Sequence, residues 1–204
     1  MLNIVIKNNN QFFNLGFHFL LQKFFPEYLF STQFAASLNE RAVRDADVVV
    51  LDLCRGEEFV CHPELLNRKQ GLLIGLIARQ NQRGRGALPL CLKDMVFIGR
   101  DENLAQVMDK IKLSWILTSP SAKEKLTYRC DSCPHRKLSP QQRIIAAEIY
   151  QGLTVNTIAR KLSLCNKTVF AHKRLIMSKF QLRNDLDLVL LLRYMDNARC
   201  ADRR

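Results

Sequence analysis

The stretch TVNTIARKLSLCNKTVFAHKRLIMSKF, residues 154–180, decides the fold of the C-terminal part of the chain. Its apolar residues recur at helical spacing in two blocks, the first centred on Ile158 and the second running from Val169 to Phe180. A short turn at residues 163–166 separates the blocks, and the second block is strongly basic. Two short helices joined by a tight turn, with a basic second helix, are typical of a helix-turn-helix.

Further helices are predicted on both sides of this pair. Ser139, followed by a proline, marks the start of the preceding helix, and Gly152 marks its end. After the pair, Asn184 or Asp185 caps a last helix that is apolar on nearly every side. The pattern therefore predicts an all-α domain of four helices over residues 138–204.

The second helix of the pair presents a basic outer face. Its inward residues are Val169, Ile176 and Phe180, and the residues opposite them lie one helical turn apart. Arginine on such a face can reach guanine edges or phosphates, and an aromatic ring or a methyl group can contact thymine. We therefore expect this helix to enter the major groove of double-stranded DNA. The outer face consists of Lys167, Phe170, Ala171 and Arg174, and the residues expected to contact DNA are these four together with Thr168, His172 and Lys173.

The excess positive charge lies in the same part of the chain. Residues 135–204 hold 14 Lys and Arg against 5 Asp and Glu, a net charge of +9, whereas residues 1–134 hold a net of +3. Such a basic module is the electrostatic signature of a protein that binds a polyanion. A solvated basic surface without a partner would have the same composition, so charge alone leaves both interpretations open.

The order of residues in this domain resembles the signature of the LuxR/NarL/FixJ-type DNA-binding domain from residue 138 to about residue 195. The matching positions are Leu138-Ser139, Gly152-Leu153-Thr154, Ile158-Ala159, Leu162, Lys167-Thr168-Val169, His172, Ile176 and Lys179-Phe180. The resemblance implies a recognition helix from Cys165 to Phe180, base-reading positions at Phe170, Ala171 and Arg174, and a dimer contact through the final helix. Phe170 stands where the family usually has lysine, which bears on the operator sequence and not on the fold.

The N-terminal part alternates strand-like and helix-like segments. Strands are predicted over residues 2–7, 28–34, 48–51, 72–78 and 95–98, and helices over residues 12–25, 38–44 and 101–111. The strands 48–51 and 72–78 are wholly apolar, as expected of central parallel strands that are covered on both faces. We therefore predict an α/β domain with a doubly wound parallel sheet over residues 1–116, followed by a linker over residues 117–137.

This layout resembles the receiver domain of response regulators. Phosphotransfer there needs a pair of acids after the first strand to hold Mg²⁺, an acceptor aspartate after the third, a Ser or Thr after the fourth and a Lys after the fifth. Asp52 matches the acceptor, but Asn8–Asn10 replace the acidic pair and bind Mg²⁺ poorly. The last two positions hold Ala78-Arg79 and either Gly99 or Arg100. The prediction is a degenerate receiver that is not phosphorylated, as in the RcsA/BglJ-type auxiliary regulators that the chain resembles in layout.

Cysteine and histidine give one weak candidate for a metal site. Cys130, Cys133 and His135 have ligand-like spacing, but a closed zinc site needs four ligands and no second pair follows. We therefore favour chance cysteines in a linker over a metal or redox site. The seven cysteines, an odd number at irregular spacing, do not suggest a disulfide framework. No nucleophile–base pair or phosphate-binding loop is evident, so neither an enzyme nor a cofactor is expected.

The sequence thus favours a regulator that binds double-stranded DNA as a homodimer, or as a heterodimer with another regulator of the same type. Two alternatives stay open: a response regulator phosphorylated on Asp52, and an interaction protein that modulates another regulator with only secondary DNA contact. No apolar run approaches the ~18 residues of a membrane-spanning helix, and no signal peptide is recognisable. A cytoplasmic location is expected.

Overall fold

The computed structural model describes residues 1–66, 68–69, 71–78, 88–118 and 133–201. The chain divides into two compact units, one formed by Met1–Leu53 with Cys61–Pro134 and the other by Cys54–Val60 with His135–Arg204. The short segment Cys54–Val60 therefore groups with the C-terminal helices. Most of the predicted linker lies outside the described residues, so the boundaries 1–116, 117–137 and 138–204 stay predictions.

The first unit contains a five-stranded parallel sheet. Its strands are β1 Leu2–Lys7, β2 Phe30–Ala35, β3 Val48–Asp52, β4 Leu72–Ile77 and β5 Val96–Gly99. The strand order is β2-β1-β3-β4-β5, and every neighbouring pair is parallel. From β1 the chain first adds β2 on one side and then β3, β4 and β5 on the other, so the strand order reverses at β1. This confirms the predicted doubly wound α/β sheet and places the carboxyl ends of β1 and β3 side by side.

Helices cover both faces of this sheet. They are α1 Gln11–Phe24, α2 Glu40–Asp45 and α3 Leu104–Leu117. One apolar cluster joins the sheet to α1 and α3, and a second joins its other face to α2. Helix α3 begins three residues later than predicted, because Asn103 caps it in a reciprocal capping box with Gln106.

The connections that follow β3 and β4 differ from the first. In their described parts they hold short 3-10 turns, at Glu57–Phe59, Pro63–Leu65 and Leu90–Leu92, where the first connection holds a 14-residue α-helix. None of the helices in the described part of the chain combines the length and the apolar character that a membrane crossing requires.

The second unit contains the four predicted helices. They are α4 Pro140–Tyr150, α5 Val155–Lys161, α6 Asn166–Lys179 and α7 Asp185–Ala201. Ser139 caps α4 in a capping box with Gln142, and Gly152 follows the helix with a φ of 81°, as the sequence predicted for both ends. The fold class is therefore a parallel α/β domain followed by an all-α helix-turn-helix domain.

Candidate nucleic-acid interface

The turn between α5 and α6 is tight and specific. Ser163 adopts a left-handed conformation with a φ of 53°, which reverses the chain within one residue. The N–H of Leu164 then donates to the carbonyl oxygen of Ala159 at 2.9 Å, so the turn is fastened to α5 by its backbone. These bonds fix the direction in which α6 leaves the turn.

A buried stripe holds α6 against the other helices. The side chains of Val169, Ile176 and Phe180 are fully buried, as predicted from their spacing. Val169 lies in a cluster with Ile145 and Ile158, two residues from the helices that precede α6. The stripe therefore determines which side of α6 is turned away from the domain.

The side turned away is the predicted outer face. Lys167, Phe170, Ala171 and Arg174 are all exposed, and Phe170 keeps 51% of its surface in contact with solvent. A shallow cleft of about 280 Å³ lies beside this face, lined by Phe170, Lys173, Arg174, Met177 and Asp185. The outer face therefore offers an apolar ring and two cationic side chains to solvent side by side, which suits contact with the bases and phosphates of DNA.

The other three predicted contact residues are partly buried. Lys173 donates through Nζ to Oδ2 of Asp185 at 2.7 Å, and its side chain is only 17% exposed. His172 turns its Nδ1 inward, where that atom has no hydrogen-bond partner among the described residues. Thr168 lies 2.9 Å from the sulfur of Cys165 through its Oγ1. Of the three, Lys173 therefore also ties α6 to the start of α7.

The first turn of α6 is open to an anion. Its N-cap residue, Cys165, makes no side-chain capping bond, and no acidic residue lies in the first turn. The hydrogen bond between the Thr168 hydroxyl and the exposed Cys165 sulfur holds the pKa of that thiol below its usual value. Unpaired N–H groups at the start of a helix attract phosphate, so this end suits the nucleic-acid backbone.

A lysine fastens the far end of α6. Nζ of Lys179 donates to the backbone oxygen of Lys137 at 2.9 Å and to Oε1 of Gln142 at 3.1 Å. Gln142 is buried and also takes part in the capping box of α4. Sequence analysis does not reveal the contact between Lys179 and Gln142, because residues 37 positions apart leave no local signal.

Asp52 lies in a separate site at the carboxyl end of β3, within the first unit. The guanidinium of Arg100 forms an ion pair with its Oδ1, and Nδ2 of Asn8 donates to its Oδ2 at 3.0 Å. A cavity of about 570 Å³ opens beside it, lined by Lys7, Asn8, Asn9, Asn10, Ala36 and Asp52. Of the two residues expected at the lysine position, Arg100 is the one that reaches the acid.

The asparagines that replace the acidic pair have local structural tasks. Oδ1 of Asn8 accepts the backbone N–H of Asn10 at 2.6 Å, and Oδ1 of Asn10 accepts the N–H of Phe13 at 3.1 Å as the N-cap of α1. Neither oxygen carries the negative charge that a magnesium site of receiver type requires. Ala78 is exposed after β4, and Arg79 lies outside the described residues.

The three candidate metal ligands are not all described. Cys130 lies outside the described residues, Cys133 belongs to the first unit and His135 to the second. The sulfur of Cys133 accepts the backbone N–H of Leu90 at 3.3 Å. No pattern in the sequence indicates that this cysteine lies close to the segments around Cys61 and Cys91.

Comparisons with known proteins agree with this layout. Residues 136–192 match the model of the family described as GerE, bacterial regulatory proteins, luxR family. A solved structure of the two-component response regulator RcsB in complex with DNA is similar in fold, with a TM-score of 0.52 and 19% identity over 94% of this chain and 97% of that chain.

A second solved structure gives the same picture. RcsB from Salmonella enterica serovar Typhimurium, bound to promoter rprA in the presence of the phosphomimetic BeF3⁻, has a TM-score of 0.51 and 18% identity over 94% of this chain and 98% of that chain. No curated protein has significant sequence similarity to the chain. At such low identity the likeness is one of fold: a receiver-type α/β domain followed by a helical domain of the luxR type.

Proposed function

We propose that this protein is a sequence-specific DNA-binding regulator of transcription that places α6 in the major groove. The observation that carries the proposal is the exposed outer face of Lys167, Phe170, Ala171 and Arg174 on a helix whose other side is fully buried. The match of residues 136–192 to the luxR family supports it, as does the similarity in fold to a regulator solved in complex with DNA.

Each residue of the outer face has a task that suits its chemistry. Arg174 reads guanine, or binds a phosphate, through its planar guanidinium. Phe170 and Ala171 offer apolar surface to a thymine methyl group. Lys167, in the first turn of α6, adds a mobile charge to the N–H groups that face the DNA backbone there.

Arg174 provides the direct test. In vitro selection from random duplexes identifies the preferred sequence, and fluorescence anisotropy then measures the affinity of the full chain for it. We expect Arg174→Ala to weaken binding by about 5- to 150-fold, because a good side-chain contact to a base contributes about 1–3 kcal/mol. Arg143→Ala removes an exposed charge from α4 and serves as the control. Unchanged affinity and an unchanged selected sequence in Arg174→Ala would contradict base reading by α6.

We also propose that the regulator acts as a dimer through α7. Leu186, Val189 and Leu190 are exposed at helical spacing on one side of this helix. Three neighbouring exposed aliphatic residues suit an apolar contact with a second subunit. Two copies of the chain on one selected duplex, counted by the mass of the complex, indicate a homodimer, and binding only after addition of a second luxR-type regulator indicates a heterodimer.

Control by phosphorylation is the second candidate, since Asp52 lies beside an open cavity at the end of β3. We propose that it does not operate. Arg100 and Asn8 already occupy both carboxylate oxygens of Asp52, and among the described residues no acid besides Asp52 lines the cavity. A fixed guanidinium thus supplies the positive charge that Mg²⁺ supplies during phosphotransfer.

A further inference from the structure

A segment of the chain that follows β3 belongs to the second unit. This segment, Cys54–Val60, groups with the helices of His135–Arg204 and contains the 3-10 turn Glu57–Phe59. It lies outside residues 136–192, the part of the chain that matches the luxR family. The second unit therefore includes a segment, here named the strap, that the family match does not account for.

The aromatic residue of the strap is part of the core of the second unit. Phe59 is fully buried, with 1% of its surface exposed, in an apolar cluster with Phe180 and Leu188. Its carbonyl oxygen accepts the backbone N–H of Arg136 at 2.9 Å, and the guanidinium of Arg136 lies over its ring, 3.5 Å from the ring centroid. The same guanidinium donates to the carbonyl oxygen of Lys179, the last residue of α6. Carbonyl groups at the end of a helix lack partners within the helix and attract cations, so Arg136 joins Phe59 to the carboxyl end of α6.

The backbone of the strap lies directly against the turn that follows α6. Gly56 has a φ of 88°, in the left-handed region that favours glycine. A Cβ atom added to this glycine would lie 2.8 Å from Cδ2 of Leu182 and 3.0 Å from the carbonyl oxygen of Phe180. No other residue therefore fits here without moving the strap away from the end of α6.

The polar groups of the strap have partners within the same unit. Nε of Arg55 lies 3.4 Å from Oδ2 of Asp187 in the first turn of α7, and both side chains are less than a fifth exposed. The buried carboxylate of Glu57 accepts the backbone N–H of Cys54 at 3.0 Å. Buried polar groups in native cores are paired in this way, so the strap packs as an integral part of the unit.

We propose that the strap is a positioning element of the DNA-binding unit, which holds the carboxyl end of α6 through Phe59, Gly56 and Arg136. The inference rests on the proposed function, in which α6 enters the major groove. The first half of α6 is held by the cluster around Val169, whereas its carboxyl end packs in the cluster that contains Phe59. Without Phe59 that end would lose part of its support, and α6 would tilt and move Arg174 relative to the bases. Hydrogen bonds keep their strength only within about 0.5 Å of distance, so the tilt would weaken base reading.

The test compares two duplexes on the full chain, the selected sequence and a scrambled sequence of the same length. We expect Phe59→Ala to lower the affinity for the selected duplex by about three- to tenfold, because contacts to bases depend on the placement of α6. The affinity for the scrambled duplex should stay within about twofold, because phosphate contacts tolerate a small displacement. A general loss of folding would lower both affinities, so the ratio of the two separates positioning from stability.

Three further variants sharpen the test. Phe59→Leu fills most of the same space and should restore the ratio to within about twofold of that of the unaltered chain. Gly56→Ala should lower the ratio as Phe59→Ala does, since the added Cβ moves the strap away from the end of α6. Phe17→Ala removes a buried ring from α1, in the first unit, and is the control that should leave the ratio unchanged.

Amide hydrogen exchange on the unaltered chain covers the case in which a variant does not fold. The N–H of Arg136 should exchange about as slowly as that of Ile176 within α6, because it is bonded to the carbonyl oxygen of Phe59. Exchange at the rate of an unprotected amide would overturn the proposal, as would an unchanged ratio in both Phe59→Ala and Gly56→Ala. Slow exchange at Arg136 in a chain that binds both duplexes equally would contradict sequence-specific binding, and with it the positioning role, while leaving the packing of the strap intact.

Discussion

The guanidinium of Arg100 forms an ion pair with the carboxylate of Asp52, the residue that the sequence matches to the phosphorylated aspartate of a receiver domain. One carboxylate oxygen of Asp52 faces this cation and the other accepts a hydrogen bond from Asn8. Both oxygens therefore have partners without phosphate or Mg²⁺. We expect Asp52→Ala to leave the affinity of the full chain for its selected duplex within about twofold. The loss of stability should stay near 0–1 kcal/mol, the usual contribution of a solvent-exposed pair.

Phosphorylation can be tested directly on the unaltered chain. Incubation with acetyl phosphate and Mg²⁺ should leave the mass of the intact chain unchanged. Asn8→Asp/Asn9→Asp/Arg100→Lys, which restores the acidic pair and the lysine of the receiver pattern, serves as the positive comparison. A phosphate adduct on the unaltered chain that disappears in Asp52→Ala would overturn the phosphorylation-independent mechanism.

The pairing of Lys173 with Asp185 should restrain DNA binding. Lys173 is one of the predicted phosphate contacts, yet its charge is neutralised by an acid on α7. Asp185→Asn removes the acid and frees the lysine for the DNA backbone. We expect the affinity for any duplex to rise by about two- to fivefold and the slope of log K against log salt to steepen by about one unit.

The control for that prediction is Asp196→Asn. Asp196 is also exposed on α7, so its loss changes the net charge equally without involving Lys173. An equal rise in affinity in both variants would mean that net charge, and not release of Lys173, is responsible. No rise in Asp185→Asn would mean that Lys173 does not contact the backbone.

The spacing of apolar residues in the sequence predicted the helices and strands whose side chains are buried. The stripe of Val169, Ile176 and Phe180 follows from helical spacing alone, and it fixes the exposed face on the other side of α6. The wholly apolar segments around Val50 and Ile74 likewise predicted central parallel strands, because both of their faces are covered.

Contacts between distant segments could not be predicted from the sequence. The Lys173–Asp185 pair and the Arg100–Asp52 pair each join charges on different elements, and charged residues carry no periodic signal that announces a partner. The proximity of Cys61 to Cys133 depends on where loops lie, which hydrophobic patterns do not encode. The start of α3 at Leu104, in contrast, could have been predicted from local sequence, because Asn103 and Gln106 have the spacing of a capping box.

Cys165 leaves the start of α6 short of a capping bond. The residue has the extended backbone of an N-cap, with φ −81° and ψ 153°, but its side chain caps no backbone N–H. A serine oxygen at this place can accept the N–H of Thr168. We expect Cys165→Ser to stabilise the domain by about 0.5–1 kcal/mol, measured as a higher urea midpoint and slower amide exchange in the first turn of α6.

Cys165→Ala is the matched comparison for the cap. Alanine also removes the sulfur but offers no acceptor, so its urea midpoint should not exceed that of the unaltered chain. A gain of equal size in both variants would show that loss of the thiol, and not capping by the serine oxygen, stabilises the helix.

The exposed apolar side of α7 should mediate dimerisation. Val189 and Leu190 lie next to each other in sequence and on the surface, and both are well exposed for aliphatic residues. Two glutamates there would place like charges at a two-fold contact and would desolvate them on association. We expect Val189→Glu/Leu190→Glu to be monomeric by sedimentation equilibrium at concentrations where the unaltered chain is a dimer.

The affinity of this double variant for the selected duplex should fall at least about tenfold, or about 1.4 kcal/mol, because a monomer contacts one half-site only. Ile144→Glu is the control, since Ile144 is an equally exposed aliphatic residue on α4. If Val189→Glu/Leu190→Glu stays dimeric and binds DNA normally, the subunits associate through another surface. If both variants lose affinity alike, added negative charge near the DNA is the cause, and α7 has no special part in it.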